Sequence, residues 1–150
     1  MSGASYLLNT SKLTDIQEHL ESCDNNFIPP LSSKINIKDY SKKLFQHAER
    51  YEAWDRHLLI GLVAMYVSPK NTGFITNVSL LKDYQGAGIA NKLVTNCINS
   101  AVEKKIGLIE LEVNLNNYVA LNLYSKLGFV RHSEKDSQNI ILSKSLKGKE

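Results

Sequence analysis

The stretch "DYQGAGIANKL" (Asp83–Leu93) constrains this chain more than any other. Before it runs "FITNVSLL" (Phe74–Leu81), whose β-branched alternation is that of a strand. After it, Ile89, Leu93, Val94, Cys97, Ile98, Ala101 and Val102 recur at steps of three and four, the spacing of a long helix buried along one side. A strand must therefore become a helix through Gly86, Ala87 and Gly88. Glycines remove side chains there, and the first turn of a helix offers unpaired backbone N–H groups at the positive end of its dipole. Such a turn suits close approach, by an anion or by a neighbouring backbone.

The remaining pattern gives the fold class. "SYLLN" (Ser5–Asn9) reads as a strand, and "TDIQEHLESC" as a helix with Thr14 and Gln17 as its capping box. Pro29 and Pro30 break the pattern. Helical spacing then resumes through Tyr40, Leu44, Phe45 and Ala48. "RYEAW", "LLIGLVAMYV" and "FITNVSLL" form a three-strand meander. Gly107 closes the long helix, and "LIELEV" (Leu108–Val113) follows as a strand. "NYVALNLYSKLG" is a short helix with Asn117 at its N-cap and Gly128 at its stop. "FVRH" and "NIILSKSL" end the chain as strands. The expected fold is α/β, with a mixed, mostly antiparallel sheet of about seven strands and one crossover that sets two strands parallel.

Composition excludes several classes. At 150 residues, 43% hydrophobic and 22% charged, the chain suits a single domain over residues 1–150. It has no apolar run of about 18 residues, so no membrane span is expected. "MSGASYLLNT" lacks a basic leader and an apolar core, which points to the cytoplasm. Cys23 and Cys97 are too few for a disulfide framework. A net charge of +3 with no basic stripe argues against nucleic acid. His47 and His57 have no metal-ligand spacing, so no metal is expected.

Phosphate-binding patterns can be tested against the glycine turn. A P-loop needs a Lys and a Ser or Thr after its last glycine, but Lys92 precedes Leu93. A dinucleotide fingerprint starting at Gly86 would end on Asn91, and no strand-end acidic residue follows. What remains is Gln85, Gly88 and Ala90 in Q-x-x-G-x-A. This resembles the pyrophosphate-binding signature of the GNAT superfamily of acyl-CoA-dependent N-acetyltransferases. About 30 residues on, Asn117, Ala120, Tyr124, Gly128 and Phe129 are similar to that family's second signature, and this pairing makes the resemblance specific. It covers Leu58–Phe129 well and the N-terminal part in element order only.

The resemblance implies a GNAT-like sheet with helices on both faces. A splayed parallel strand pair would admit acetyl-CoA as co-substrate. The backbone of Val78, Ser79 and Leu80 would meet the pantetheine arm and the acetyl carbonyl. Gln85, Gly86, Ala87, Gly88, Ile89 and Ala90 would hold the pyrophosphate. Asn117 would touch the cofactor arm, and Tyr124 would protonate the leaving thiolate. Glu112 matches the base of the ribosomal-protein alanine N-acetyltransferases; ordered water is the alternative. Phe27 and Asn77 would face the acceptor. Trp54 is either core or a substrate platform. The acceptor expected first is a small-molecule amine. A loose similarity of the N-terminal half to GNAT proteins of surface-polysaccharide gene sets suggests an amino sugar. A protein N-terminus or lysine, and a non-catalytic acyl-CoA-binding module, are the alternatives. Pairing through the C-terminal strands would give a homodimer, as in some relatives.

Overall fold

In the computed structural model, which describes residues 3–147, the strands fall on the segments expected from the sequence. They are β1 (Ser5–Leu8), β2 (Glu49–Asp55), β3 (Leu58–Val67), β4 (Thr72–Leu80), β5 (Leu108–Asn114), β6 (Val130–Glu134) and β7 (Asn139–Ser145). They form one seven-stranded sheet in the order β1-β2-β3-β4-β5-β7-β6. Among the described residues, only β4 and β5 pair in parallel. The helices are α1 (Leu13–Cys23), α2 (Ile37–His47), α3 (Ile89–Glu103) and α4 (Tyr118–Lys126). The expected mixed α/β architecture is therefore present.

β3 explains why both faces are covered. It is buried almost throughout, and neighbouring residues on a strand point to opposite faces. Leu62 and Ala64 pack with Ile16 and Leu20 of α1 and Leu44 of α2. Val63 and Met65 pack with Leu93, Val94 and Cys97 of α3 and Tyr124 of α4. α3 lies close to the sheet: a Cβ on Gly61 would stand 2.9 Å from Leu93 Cδ1. Among the described residues, no helix is long and apolar enough to cross a membrane.

Two helix ends differ from the expectation. α1 is capped by Lys12, whose N–H donates to the Asp15 carboxylate at 2.9 Å, and Thr14 lies inside the first turn. The earlier hydroxyl residues Thr10 and Ser11 are drawn away by the Glu52 carboxylate. α3 is closed by Lys105, not Gly107. Lys105 adopts φ +61°, donates to Val102 O at 3.0 Å, and lets Ile106 donate to Ala101 O at 2.9 Å. That is a Schellman cap with lysine in the left-handed position, its carbonyl held by the Asn71 side chain. Gly107 donates instead to Asn71 O. The last residues of the lysine-bearing tail lie outside the described residues.

The sheet opens where β4 bulges. Ile75 pairs with Met65 and Asn77 with Ala64, which leaves Thr76 as the extra residue. Tyr40 of α2 donates its hydroxyl to Thr76 O at 2.9 Å, satisfying the carbonyl there. Parallel pairing with β5 covers only Thr72–Ile75 against Leu108–Leu111. Beyond that point β4 and β5 part, while β5 stays paired with β7 through Asn114.

Candidate active site

A cavity of about 270 Å³ occupies the gap between β4 and β5. It reaches both faces of the sheet, because its walls come from the α1–α2 connection on one side and from α4 on the other. Phe27, Ile28, Leu31 and Ile35 form the apolar wall. Asn77 and Val78 of β4 and Glu112 of β5 edge the gap, and Asn117 and Tyr124 close it from α4.

Local sequence sets these positions. The Asn117 carboxamide accepts the Ala120 N–H at 3.2 Å and so caps α4. Gly128, at φ +93°, ends α4 in a second Schellman turn, with Phe129 N–H donating to Tyr124 O at 3.0 Å. The same turn brings Phe129 edge-to-face on Tyr124, with ring centroids 5.8 Å apart. Burial pushes the Tyr124 phenol well above its ordinary range, so it stays protonated and able to donate. Glu112 keeps 27% of its side chain exposed, and its Oε1 accepts from Lys135 Nζ at 2.8 Å.

The glycine turn lies beyond β4. A short turn at Lys82–Tyr84 ends with Gln85 N–H on Lys82 O, and the first α-helical bond is Lys92 N–H to Gly88 O. Between them, the N–H groups of Gly86 through Asn91 have no hydrogen-bond partner among the described residues. Gly86 (φ +88°) and Gly88 (φ +80°) take left-handed backbone, and a Cβ on either would meet nothing within 4 Å. An open row of N–H donors at the start of a 15-residue helix fits a pyrophosphate.

The structure thus brings Phe27, Asn77, Val78, Glu112, Asn117 and Tyr124 to one cavity. Gln85–Ala90 form the separate, open turn. The side chains of Ser79 and Leu80 leave the cavity: Ser79 turns toward α1, and Leu80 packs on the opposite core. Trp54 does not stand at the cavity as a substrate platform. It lies on β2 against Ser5 and Leu59, outside the cavity. Its indole Nε1 donates to Glu52 Oε1 at 3.2 Å. Glu52 is a fully buried carboxylate that Thr10 and Ser11 also serve, with Arg50 at 3.7 Å; it requires such donors. The sequence does not mark Tyr40 or His19 as site residues. Tyr40 read only as part of an apolar helix face, and nothing local marks His19.

A family model for the acetyltransferase (GNAT) family matches residues 13–129. The chain belongs to the GNAT acetyltransferase family. Its sequence is 41% identical over 59 residues to an N-alpha-acetyltransferase MAK3 of Arabidopsis thaliana, covering 39% of this chain and 31% of that protein. The curated relatives are matched over only 31% to 43% of their own length. Among solved structures, a paiA N-acetyltransferase from Thermoplasma acidophilum in complex with coenzyme A superposes with a TM-score of 0.75 at 18% identity, covering 94% of this chain and 99% of that one. A NatC complex bound to Gag peptide and CoA gives a TM-score of 0.72 at 24% identity, covering 94% and 98%. These structural likenesses show the shared GNAT fold.

Proposed function

We propose that this GNAT domain, taken as residues 1–150, moves an acetyl group from acetyl-CoA to the α-amine of a peptide or protein N-terminus. The observation that carries the reading is the gap between β4 and β5. It joins Tyr124, Asn117 and Glu112 to an apolar wall of Phe27, Ile28 and Leu31. That wall suits an apolar first side chain better than the hydroxyls of an amino sugar. The curated relatives are named N-alpha-acetyltransferases, which supports the same acceptor. The small-molecule acceptor expected from sequence gives way to this reading.

The chemistry follows from the residues. An α-amine has a pKa of about 7.7–8.0, against about 10.4 for lysine, so a useful share is neutral near pH 7. Its nitrogen lone pair attacks the thioester carbonyl carbon, and the carbonyl electron pair moves to oxygen. The C–N bond forms, the C–S bond breaks, and the CoA thiolate takes the Tyr124 phenol proton. The nitrogen gives one proton to Glu112 or to a water beside it. The N–H row from Gly86 to Asn91 holds the pyrophosphate, and Val78–Leu80 and Asn117 line the arm's route. Thiol release from acetyl-CoA tests the proposal: peptides with an apolar first residue should be turned over, and N-terminally blocked copies should not. Turnover of amino sugars alone would sink it.

A further inference from the structure

Behind the cavity wall, three polar side chains from two elements form one chain of hydrogen bonds. His19 of α1 places Nδ1 2.9 Å from Leu59 O and Nε2 2.8 Å from Ser79 Oγ. Asn77 Nδ2 donates to Ser79 Oγ at 2.9 Å and to Leu62 O at 3.1 Å. All three residues are buried.

Donor and acceptor capacity gives this chain a single direction. A carbonyl only accepts, so Leu59 O requires a proton on His19 Nδ1. Burial lowers the His19 pKa to about 4, so the ring is neutral and Nε2 carries a lone pair. Ser79 therefore donates its hydroxyl to Nε2. The Cys23 thiol, 3.7 Å from that nitrogen, is a weaker neighbour. Ser79 Oγ then accepts from Asn77 Nδ2. The second Nδ2 proton goes to Leu62 O, another pure acceptor. The Asn77 amide cannot flip without setting its oxygen against that carbonyl. Its Oδ1 is thus fixed, buried at the cavity wall, with no partner among the described residues. A buried acceptor without a donor is costly.

We infer that Asn77 Oδ1 receives an N–H of the acceptor amine, and that Ser79 and His19 are positioning residues that hold the amide in that orientation. The inference rests on the acetyltransferase reading above. An amide oxygen does not take the proton away. It holds the N–H that stays in the product amide, while the other proton leaves. The nitrogen becomes cationic as the C–N bond forms, so the hydrogen bond to Oδ1 strengthens during attack. Asn77 sits one residue past the Thr76 bulge, where β4 turns away from β5 and the cavity opens.

The test compares wild type with Asn77→Leu, Ser79→Ala and the double variant, on a peptide with a free N-terminus. Asn77→Leu should lower kcat/KM for the peptide by about 10- to 100-fold, the range of a charge-assisted hydrogen bond, with acetyl-CoA affinity held within about twofold. Ser79→Ala should lower it less, and should add nothing once Asn77 is leucine. A purely structural Ser79 would give additive losses instead. If Asn77→Leu does not fold, Ser79→Ala alone decides by its acceptor kcat/KM. Unchanged kcat/KM, additive losses, or an equal loss of acetyl-CoA binding would overturn the inference. A wild type silent on peptides would instead sink the acceptor reading. The comparison then runs on whichever amine is turned over, because the inference concerns the nitrogen common to all of them.

Discussion

In the proposed mechanism, Tyr124 is the residue on which the chemistry most depends. Its phenol is buried, protonated and at the cavity, and removing the oxygen leaves the ring's packing on Phe129 in place. Tyr124→Phe should cut kcat by roughly 100-fold or more, the lower end of a general acid's contribution, with CoA affinity retained by calorimetry. His19 makes a separate prediction about pH. The unfolded ring takes up a proton below about pH 6.5, and the folded ring resists until about 4. The unfolded state therefore binds more protons in that window. Stability is present above it and is lost as pH falls through it, by on the order of 3 kcal/mol at most. Urea titrations between those pH values should show a steeper loss in wild type than in His19→Gln. Asn117 was legible in the sequence as a helix cap, and Tyr124 through the family's second signature, since helical spacing alone marks it only as an aromatic on a helix face. His19 and Tyr40 were not, since their partners lie 60 and 36 residues away. Trp54 misled because the buried Glu52 that claims its indole N–H cannot be recognised before the chain folds.

At the level of elements, apolar patterning and turn signals located the seven strands and four α-helices described, and the errors lie at their ends. The Lys105 cap shows why. Gly107 was the obvious stop, but Asn71 reaches across to the Lys105 carbonyl and holds lysine in left-handed backbone. That conformation disfavours a side chain by roughly 1 kcal/mol, so Lys105→Gly should stabilise the protein by about that amount in thermal melts. The glycine turn makes the opposite case. A Cβ at Gly88 meets nothing, so Gly88→Val acts through backbone strain at φ +80° and through its bulk before the N–H row. It should weaken CoA binding by about tenfold or more while changing stability by only about 1–3 kcal/mol. The splay of β4 from β5 was implied by the family resemblance, not by the residues. A bulge at Thr76 leaves no mark in an alternating run and becomes visible only through the register with β3.

Across the whole molecule, the cavity exists because two helix pairs cover opposite faces of one sheet and the sheet opens between them. The glycine turn, the apolar wall and the α4 side chains come from distant parts of the sequence. A ligand spanning them should stabilise the fold as a unit. CoA at about 100 times its Kd should add about 2.7 kcal/mol, seen as a raised Tm, and ATP should add none. Stabilisation by ATP and not by CoA would contradict the assignment of the turn. The identity of the acetylated nitrogen decides the proposed function. Its most direct measurement is mass-spectrometric mapping of the acetyl group on a peptide carrying both a free N-terminus with an apolar first residue and an internal lysine. The expected product bears one acetyl group, on the α-nitrogen. Acetylation of the lysine alone, or no peptide product while a small amine is turned over, would contradict the account.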